Sequence, residues 1–458
     1  MWIPHNLDPN LSVYRAISEC LALDIEEGRL SEGQKLPPMR DLADELGVTV
    51  GTVLRAYDLA EQRGLLVKQT GRGSFVRSST EKSQHIREIL DETGAVDLSR
   101  NAPPFINLEA QLRRSLMEIS KDSNLDGMLE YGQSQGLLRH REILCEWLDG
   151  RGFKADPARI IITGGAQQAL TAALGALTSP GDTVLVEELS YPGIKNYARF
   201  FGINLVPVSL DEGGLVPESV EQACLRHSVK ALYCMPFAHN PTTATMSEKR
   251  IAEIANMADR YGFFVIEDDV NPRPSSSDFK PIAAYNPERT VYISSLSKTI
   301  SPGLRVGTLM PPDGLLSQFL AASQTTSWMA PPLMAEVACH WIKDGTASEL
   351  EKQRTTITAN LLRQANIALV GMPYRFNEAT SHLWIPLSGA WKAEEFAETL
   401  GQRGVRVSPS ELFAVDPVSA PSGVRINLTN IGDDLLKKSL SSVVQLWNSS
   451  PQATKFQM

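Results

Sequence analysis

The segment SSLSKTISPGLRVG, Ser294 to Gly307, sets one lysine among four serines and follows it seven residues later with one arginine. It grows out of TVYISSLS (290–297), a β-branched run that reads as a strand, so Lys298 stands at a strand end. In an open parallel sheet, ligands bind beyond the carboxyl ends of the strands. A lysine amine is the side chain that condenses with an aldehyde. Serine hydroxyls and a guanidinium are phosphate ligands. The segment therefore reads as Lys298 poised to hold a phosphorylated aldehyde, with Ser295, Ser297 and Arg305 around the phosphate.

The surrounding chain supplies the sheet that this reading needs. RIIITGG (159–165), DTVLVEE (182–188), INLVPVSL (203–210), VKALYCMP (229–236) and FFVIEDD (263–269) read as further strands, with helical stretches between several of them. Such alternation implies an α/β body with a mostly parallel sheet covered on both faces. Four more motifs fall at strand ends. TGGAQQALTAAL (163–174) puts Gly-Gly before a helix, a phosphate seat or a plain tight turn. In VEELSYPG (186–193), Tyr191 is either a platform for a flat ring or ordinary packing. In MPFAHNPTT (235–243), Asn240 is either a free amide donor or part of a common Asn-Pro turn. VIEDDV (265–270) drives an apolar strand into three acids, and a buried carboxylate needs a partner: a protonated ring nitrogen or an arginine.

One ligand answers all five motifs: pyridoxal 5′-phosphate (PLP), with its phosphate, flat ring, ring oxygen, ring nitrogen and aldehyde. On those motifs residues 95–445 resemble a fold-type I aspartate-aminotransferase domain, the PLP-dependent transferase fold. The resemblance implies that Lys298 forms an internal aldimine and that Asp268 pairs with the pyridinium nitrogen. It implies that Asn240 donates to the ring 3′-oxygen and that Tyr191 stacks on the ring. It assigns the phosphate to Gly165, Ala166, Gln167, Ser295, Ser297 and Arg305. Arg425, in GVRINLTN (423–430), matches the arginine that grips a substrate or effector α-carboxylate. One departure stands out: many relatives carry a tyrosine shortly after the acidic pair, where this chain has Val270 and Asn271.

The first 77 residues read differently. SVYRAISECLALDIEEG (12–28), MRDLADELG (39–47) and TVGTVLRAYDLAEQRG (49–64) each show helical spacing and close on glycine, the last with Thr49 as its cap. LLVKQ, TGRG and SFVR (65–77) then read as a hairpin with a Gly-rich turn. Helix, helix, turn, helix, hairpin describes a winged helix-turn-helix, whose second helix of the pair enters the major groove. Residues 1–80 hold nine Lys+Arg against eleven Asp+Glu, but 62–77 holds Arg63, Lys68, Arg72 and Arg77 with no acid. Phosphate contacts require such a local patch rather than a basic domain. LSEGQKLPPMRDLADELGVTVGTVLRAYDLAEQRGLL (30–66) and GRGSFV (71–76) resemble the GntR-type regulators. By that resemblance Arg40, Thr49, Thr52, Arg55 and Arg72 face DNA and Gly73 sits in the wing tip. The family often carries Ser-Arg where this chain has Thr49-Val50, so an operator sequence does not transfer.

The expected organisation is a DNA-binding head over 1–77, a polar linker over 78–94, a PLP-binding body over 95–448 and a disordered tail, SSPQATKFQM, over 449–458. Net charge of −9 gives no whole-chain field toward nucleic acid or membrane. Five scattered cysteines without a C-x-x-C pair suggest reduced thiols in a cytosol and no zinc site. MWIPHNLDPN lacks the pattern of a secretory leader, and no apolar run is long enough for a membrane span. The fusion of head and body resembles the MocR subfamily of bacterial transcription regulators. That resemblance implies a homodimer that binds double-stranded operator DNA and senses an amino compound or vitamer through the aldimine at Lys298. The rival reading is a working aminotransferase for an amino acid and a 2-oxo acid.

Overall fold

The computed structural model describes the chain apart from residues 1, 6, 10, 27, 32, 63–64, 70–72, 77–94, 122–124, 153, 274–276, 388–390, 450 and 452–458. The expected linker (78–94), the wing residue Arg72 and nearly all of the expected tail lie outside the described residues, as do the side chains of Arg63, Lys68 and Arg77. The chain divides into two compact units, Met1–Glu88 and Ile89–Met458.

The smaller unit holds helices α1 (Val13–Glu26), α2 (Met39–Leu46) and α3 (Val50–Gln62), then strands β1 (Leu66–Gln69) and β2 (Gly73–Val76). β1 and β2 pair antiparallel from Leu66↔Val76 to Gln69↔Gly73. Helix α2 stops at Gly47, whose left-handed backbone (φ 63°) turns the chain toward α3. Thr49 caps α3 by accepting a hydrogen bond from the Thr52 amide at 3.2 Å. Spacing at three and four residues buries Val53, Ala56, Tyr57 and Ala60 on one face of α3. That face packs with Leu21, Leu42 and Leu66 into the core of the head.

In the larger unit the described residues form a seven-stranded sheet. Its strands are β3 (Ile161–Thr163), β4 (Thr183–Glu187), β5 (Asn204–Val208), β6 (Val229–Cys234), β7 (Phe264–Asp269), β8 (Thr290–Ser295) and β9 (Gly307–Met310). Their order is β3-β9-β8-β7-β6-β4-β5. The pairings among β8, β7, β6, β4 and β5 are parallel, and β9 runs antiparallel to both of its neighbours. The sequence reading located six of these strands and missed β9, whose GTLM is too short to show a period. Helix α4 (Ala166–Leu177) covers one face through Ala169, Leu170, Ala173 and Leu174. The long helix α5 (Thr346–Ala368) leads to a four-stranded antiparallel sheet of β10 (Arg375–Phe376), β11 (His382–Pro386), β12 (Ser408–Pro409) and β13 (Gly423–Asn427), in the order β10-β11-β13-β12.

Two glycines let the strand ends approach. Gly165 (φ 104°) precedes α4, and a Cβ there would lie 2.6 Å from Arg305 Nη2. A Cβ on Gly307 would lie 2.8 Å from the Gly165 main chain. Gly307→Ala is therefore expected to destabilise the larger unit by about 1–3 kcal/mol, read as a lower urea midpoint in its unfolding transition.

Candidate functional site

The carboxyl end of β7 carries Glu267, Asp268 and Asp269, and strand alternation sends neighbouring side chains to opposite faces. Glu267 accepts hydrogen bonds from the amides of Ile282 and Ala283, each at 3.0 Å. Asp269 is paired with Arg151 (3.1 Å) and Arg273 (2.5 Å) and accepts a hydrogen bond from the Tyr292 hydroxyl. Burial pushes its pKa up, but the two guanidinium groups outweigh burial and leave it at about 2. The arginine answer to the buried-acid question thus belongs to Asp269. Asp268 is buried without a cationic partner among the described residues. Its Oδ2 accepts from Tyr233 at 2.6 Å, and its Oδ1 has no partner among the described residues. Burial first, then the charges of Asp269 and Glu187, raise Asp268 to about 7 against the Tyr233 hydrogen bond.

Asp268 lines a cavity of about 610 Å³, within the range of small-molecule sites. Ala166, Gln167, Tyr191, Asn240, Ser295, Ser297, Lys298, Arg305 and Arg425 line it too. At one end, Ser295 Oγ donates to Ser297 Oγ at 3.0 Å, and Arg305, itself left-handed (φ 53°), donates to the Gly164 carbonyl at 2.8 Å. These groups and the start of α4 make a donor-rich corner suited to phosphate. Tyr191 donates to Gln167 Oε1 at 2.9 Å and so stands over the same wall.

Arg425, buried on β13, donates to Asn240 Oδ1 at 2.7 Å, to Ser408 Oγ at 3.2 Å and to the Ser99 carbonyl. That leaves the Asn240 amide nitrogen as the group's remaining donor. The Arg425 guanidinium also lies 4.9 Å from the Phe413 ring centre, and its Nε has no partner among the described residues. Lys298 Nζ donates to the Asn101 carbonyl. Burial, then the cations Arg425 and Arg354, lower its pKa to about 8.

Sequence reading missed several groups of this site. Ser99 and Asn101 act through main-chain carbonyls, which every residue carries. Arg354, on α5, bonds the carbonyls of Pro104 and Ile300 and so ties down the backbone on both sides of Lys298's surroundings. Tyr233 and Phe413 look like ordinary core residues in sequence. Val270 lines the cavity and packs against the apolar cluster of the sheet, without a hydroxyl to offer, and Asn271 spends its amide on the Ala238 carbonyl at 2.8 Å.

In the smaller unit, Arg40, Thr49 and Arg55 are exposed, Thr52 is half-buried and Gly73 is exposed where β2 begins. The Thr49 and Thr52 hydroxyls lie 2.9 Å apart in a hydrogen bond. Arg15 of α1 donates to Tyr14 Oη at 3.2 Å, and the hydrogen bonds of Arg15 and then Ser12 draw that phenol's pKa down, with a smaller pull from the charge of Arg55. The start of α1 thus lies within reach of the charge of Arg55 on α3, a proximity that sequence spacing does not reveal.

Residues 93–443 match the family model for aminotransferase class I and II, and residues 13–76 match bacterial regulatory proteins of the gntR family. The chain is 30% identical over 438 residues to the vitamin B6 salvage pathway transcriptional repressor PtsJ of Salmonella typhimurium, covering 94% of this chain and 98% of the relative. It is 28% identical over 427 residues to YdeF of Bacillus subtilis, an uncharacterized HTH-type transcriptional regulator, covering 93% and 92%. The solved kynurenine aminotransferase of Pyrococcus horikoshii superposes with a TM-score of 0.72 at 23% identity, covering 85% of this chain and 98% of that one. At that identity the likeness is one of fold.

The lowered pKa has a testable sign. Only the neutral amine attacks a carbonyl, so capture of an aldehyde by Lys298 should rise with pH through about 8 instead of near the ordinary lysine value of 10.5. Arg425→Gln removes a cation that disfavours the ammonium, so stopped-flow rates should show that midpoint moving upward.

Proposed function

We propose that this chain, which belongs to the aminotransferase class I and II family and carries a gntR-family head in the MocR-type architecture, is a PLP-linked transcription regulator. The observation that carries the reading is the single cavity in which Lys298, Asp268, Arg305 and Arg425 meet, in a chain headed by a winged helix-turn-helix. The site residues fit the cofactor: an orphaned buried carboxylate oxygen suits a protonated ring nitrogen, and the Ser295–Ser297–Arg305 corner suits a phosphate. When bound, PLP supplies an electrophilic carbonyl and an electron-withdrawing ring.

In this reading Lys298 Nζ holds the carbonyl end, and its depressed pKa keeps part of the amine neutral near physiological pH. Asp268 holds the ring nitrogen, the Asn240 amide the ring oxygen and Tyr191 the ring face. Arg425, with Nε unspent, takes a carboxylate on an incoming amino ligand. The signal is an amino compound that displaces Lys298, or a vitamer that competes for the cavity. The name of PtsJ, a vitamin B6 salvage pathway repressor, supports the vitamer. A ligand can shift DNA binding only by its differential affinity for two arrangements of the protein. The proposed division of labour gives 1–77 to DNA, 78–94 to the linker and 95–448 to the cofactor.

A homodimer belongs to the same proposal. Tyr131 (86% exposed) and Trp328 (56% exposed) meet edge to face at 6.2 Å, beside Leu129 (78% exposed). Such an apolar surface suits a second copy. The rival reading, amino-acid transamination as the main role, is favoured by the complete set of Lys298, Asp268 and Arg425 in one cavity. Turnover of amino acid plus 2-oxo acid at about 1 s⁻¹ or faster would establish it.

The deciding experiment is the visible spectrum of purified protein with PLP, beside Lys298→Ala. A protein-bound band distinct from free PLP and lost in the variant is expected; its absence from the wild type overturns the cofactor reading. In filter binding, Arg40→Ala or Arg55→Ala should weaken operator binding and lower the salt slope by about 1 per lost phosphate contact. Light scattering should give a dimer that Tyr131→Glu with Trp328→Glu converts to monomer.

A further inference from the structure

The two oxygens of Asp268 are treated differently. Oδ2 takes the 2.6 Å hydrogen bond from Tyr233 Oη, while Oδ1 is buried without a partner among the described residues. Tyr233 comes from β6, in the middle of the sheet, and has no exposed surface. Its Cα pairs with Val186 on β4 and Ile266 on β7. Asp268 is two residues beyond Ile266, on the same face, and that diagonal is within reach of a long side chain.

A phenylalanine would fill the same space without a polar atom to satisfy. The phenol needs an acceptor there, and the structure gives it Asp268. The acids whose charge reaches Asp268 are Glu187 at the end of β4 and its chain neighbour Asp269 on β7, and Tyr191 lines the same cavity. The cations Lys298, Arg305 and Arg425 line that cavity too. Among the influences on Asp268, burial and the two acids favour the neutral form, and the Tyr233 hydrogen bond favours the carboxylate.

We infer that Tyr233 is a positioning residue for the cofactor: its hydroxyl fixes Asp268 as a carboxylate with Oδ1 directed to the ring nitrogen of PLP. The assignment rests on the PLP reading above. It gives the site a device on a different strand from the position where Val270 replaces the tyrosine of many relatives. That missing tyrosine would act on the ring oxygen; Tyr233 acts on the ring nitrogen through Asp268.

The test uses the full-length protein with PLP as probe and compares wild type, Tyr233→Phe and Asp268→Asn. PLP affinity, the visible band as a function of pH, and thermal melting are read on each. Tyr233→Phe is expected to bind PLP about 10- to 100-fold more weakly, with its bound band moved toward that of Asp268→Asn. Losing a hydrogen bond to the charged form raises the Asp268 pKa. The fall in PLP affinity on acidification should therefore begin at a higher pH than in wild type. Site-specific replacement of Tyr233 by a fluorotyrosine keeps the shape and strengthens the donor, so the same limb should move to lower pH; this holds the question open to refutation should Tyr233→Phe fold poorly. A band and acid limb unchanged in both variants, or a weaker affinity that merely follows a lower melting temperature, would overturn the assignment. Wild-type protein with no bound band would overturn the PLP reading and this one together, whereas a normal wild-type band with indifferent variants overturns this one alone.

Discussion

Three consecutive carboxylates at the buried end of one strand are the constraint around which the larger unit is arranged. Burying an ionised acid is costly without a partner, and strand alternation prevents neighbours from sharing one solution. Glu267 takes backbone amides from the segment that follows Pro281, and Asp269 takes Arg151, Arg273 and Tyr292. Both are closed, structural solutions. Asp268 receives one phenol and keeps one oxygen without a partner among the described residues, which makes it the acid available to a ligand.

The cations around Lys298 have the complementary problem. Arg425 and Arg354 are buried guanidinium groups whose hydrogen bonds go to carbonyls, an amide oxygen and a hydroxyl. Their charge falls on Lys298 and holds its pKa down. A cavity lined by Lys298, Arg305 and Arg425 as well as by an acid with an oxygen left without a partner among the described residues suits a ligand that is anionic at its phosphate and carboxylate ends and protonated at its ring. The same electrostatics that selects the ligand thus prepares the amine that would hold it.

The helix-turn-helix unit obeys simpler rules. A short amphipathic α3, capped by Thr49 and packed through Val53, Tyr57 and Ala60, leaves Arg55 exposed away from that packed face. A regulator built from such a head and a ligand-binding body requires that ligand and DNA each prefer one arrangement over another.

Much of this was written in local sequence. Strands such as FVIED and VYISS show themselves by β-branched, apolar content; helix ends show themselves by Gly47 and Thr49; Lys298 and its serines announce a strand-end site, because chain direction in a parallel sheet puts all such ends on one side. Short or diagonal relations were hidden. The GTLM strand is four residues long and antiparallel, with no period to detect. VIEDDV shows three acids, but which of them faces the ligand depends on the phase of the alternation and on Arg151, more than a hundred residues away. Tyr233 reads as a core aromatic until the register of β6 against β7 brings its hydroxyl to Asp268. The sequence by itself determined the elements and the chemistry at their ends, because those depend on neighbours along the chain. Tertiary structure alone decided which acid keeps a free oxygen and which cations surround the lysine, because burial and charge act through space.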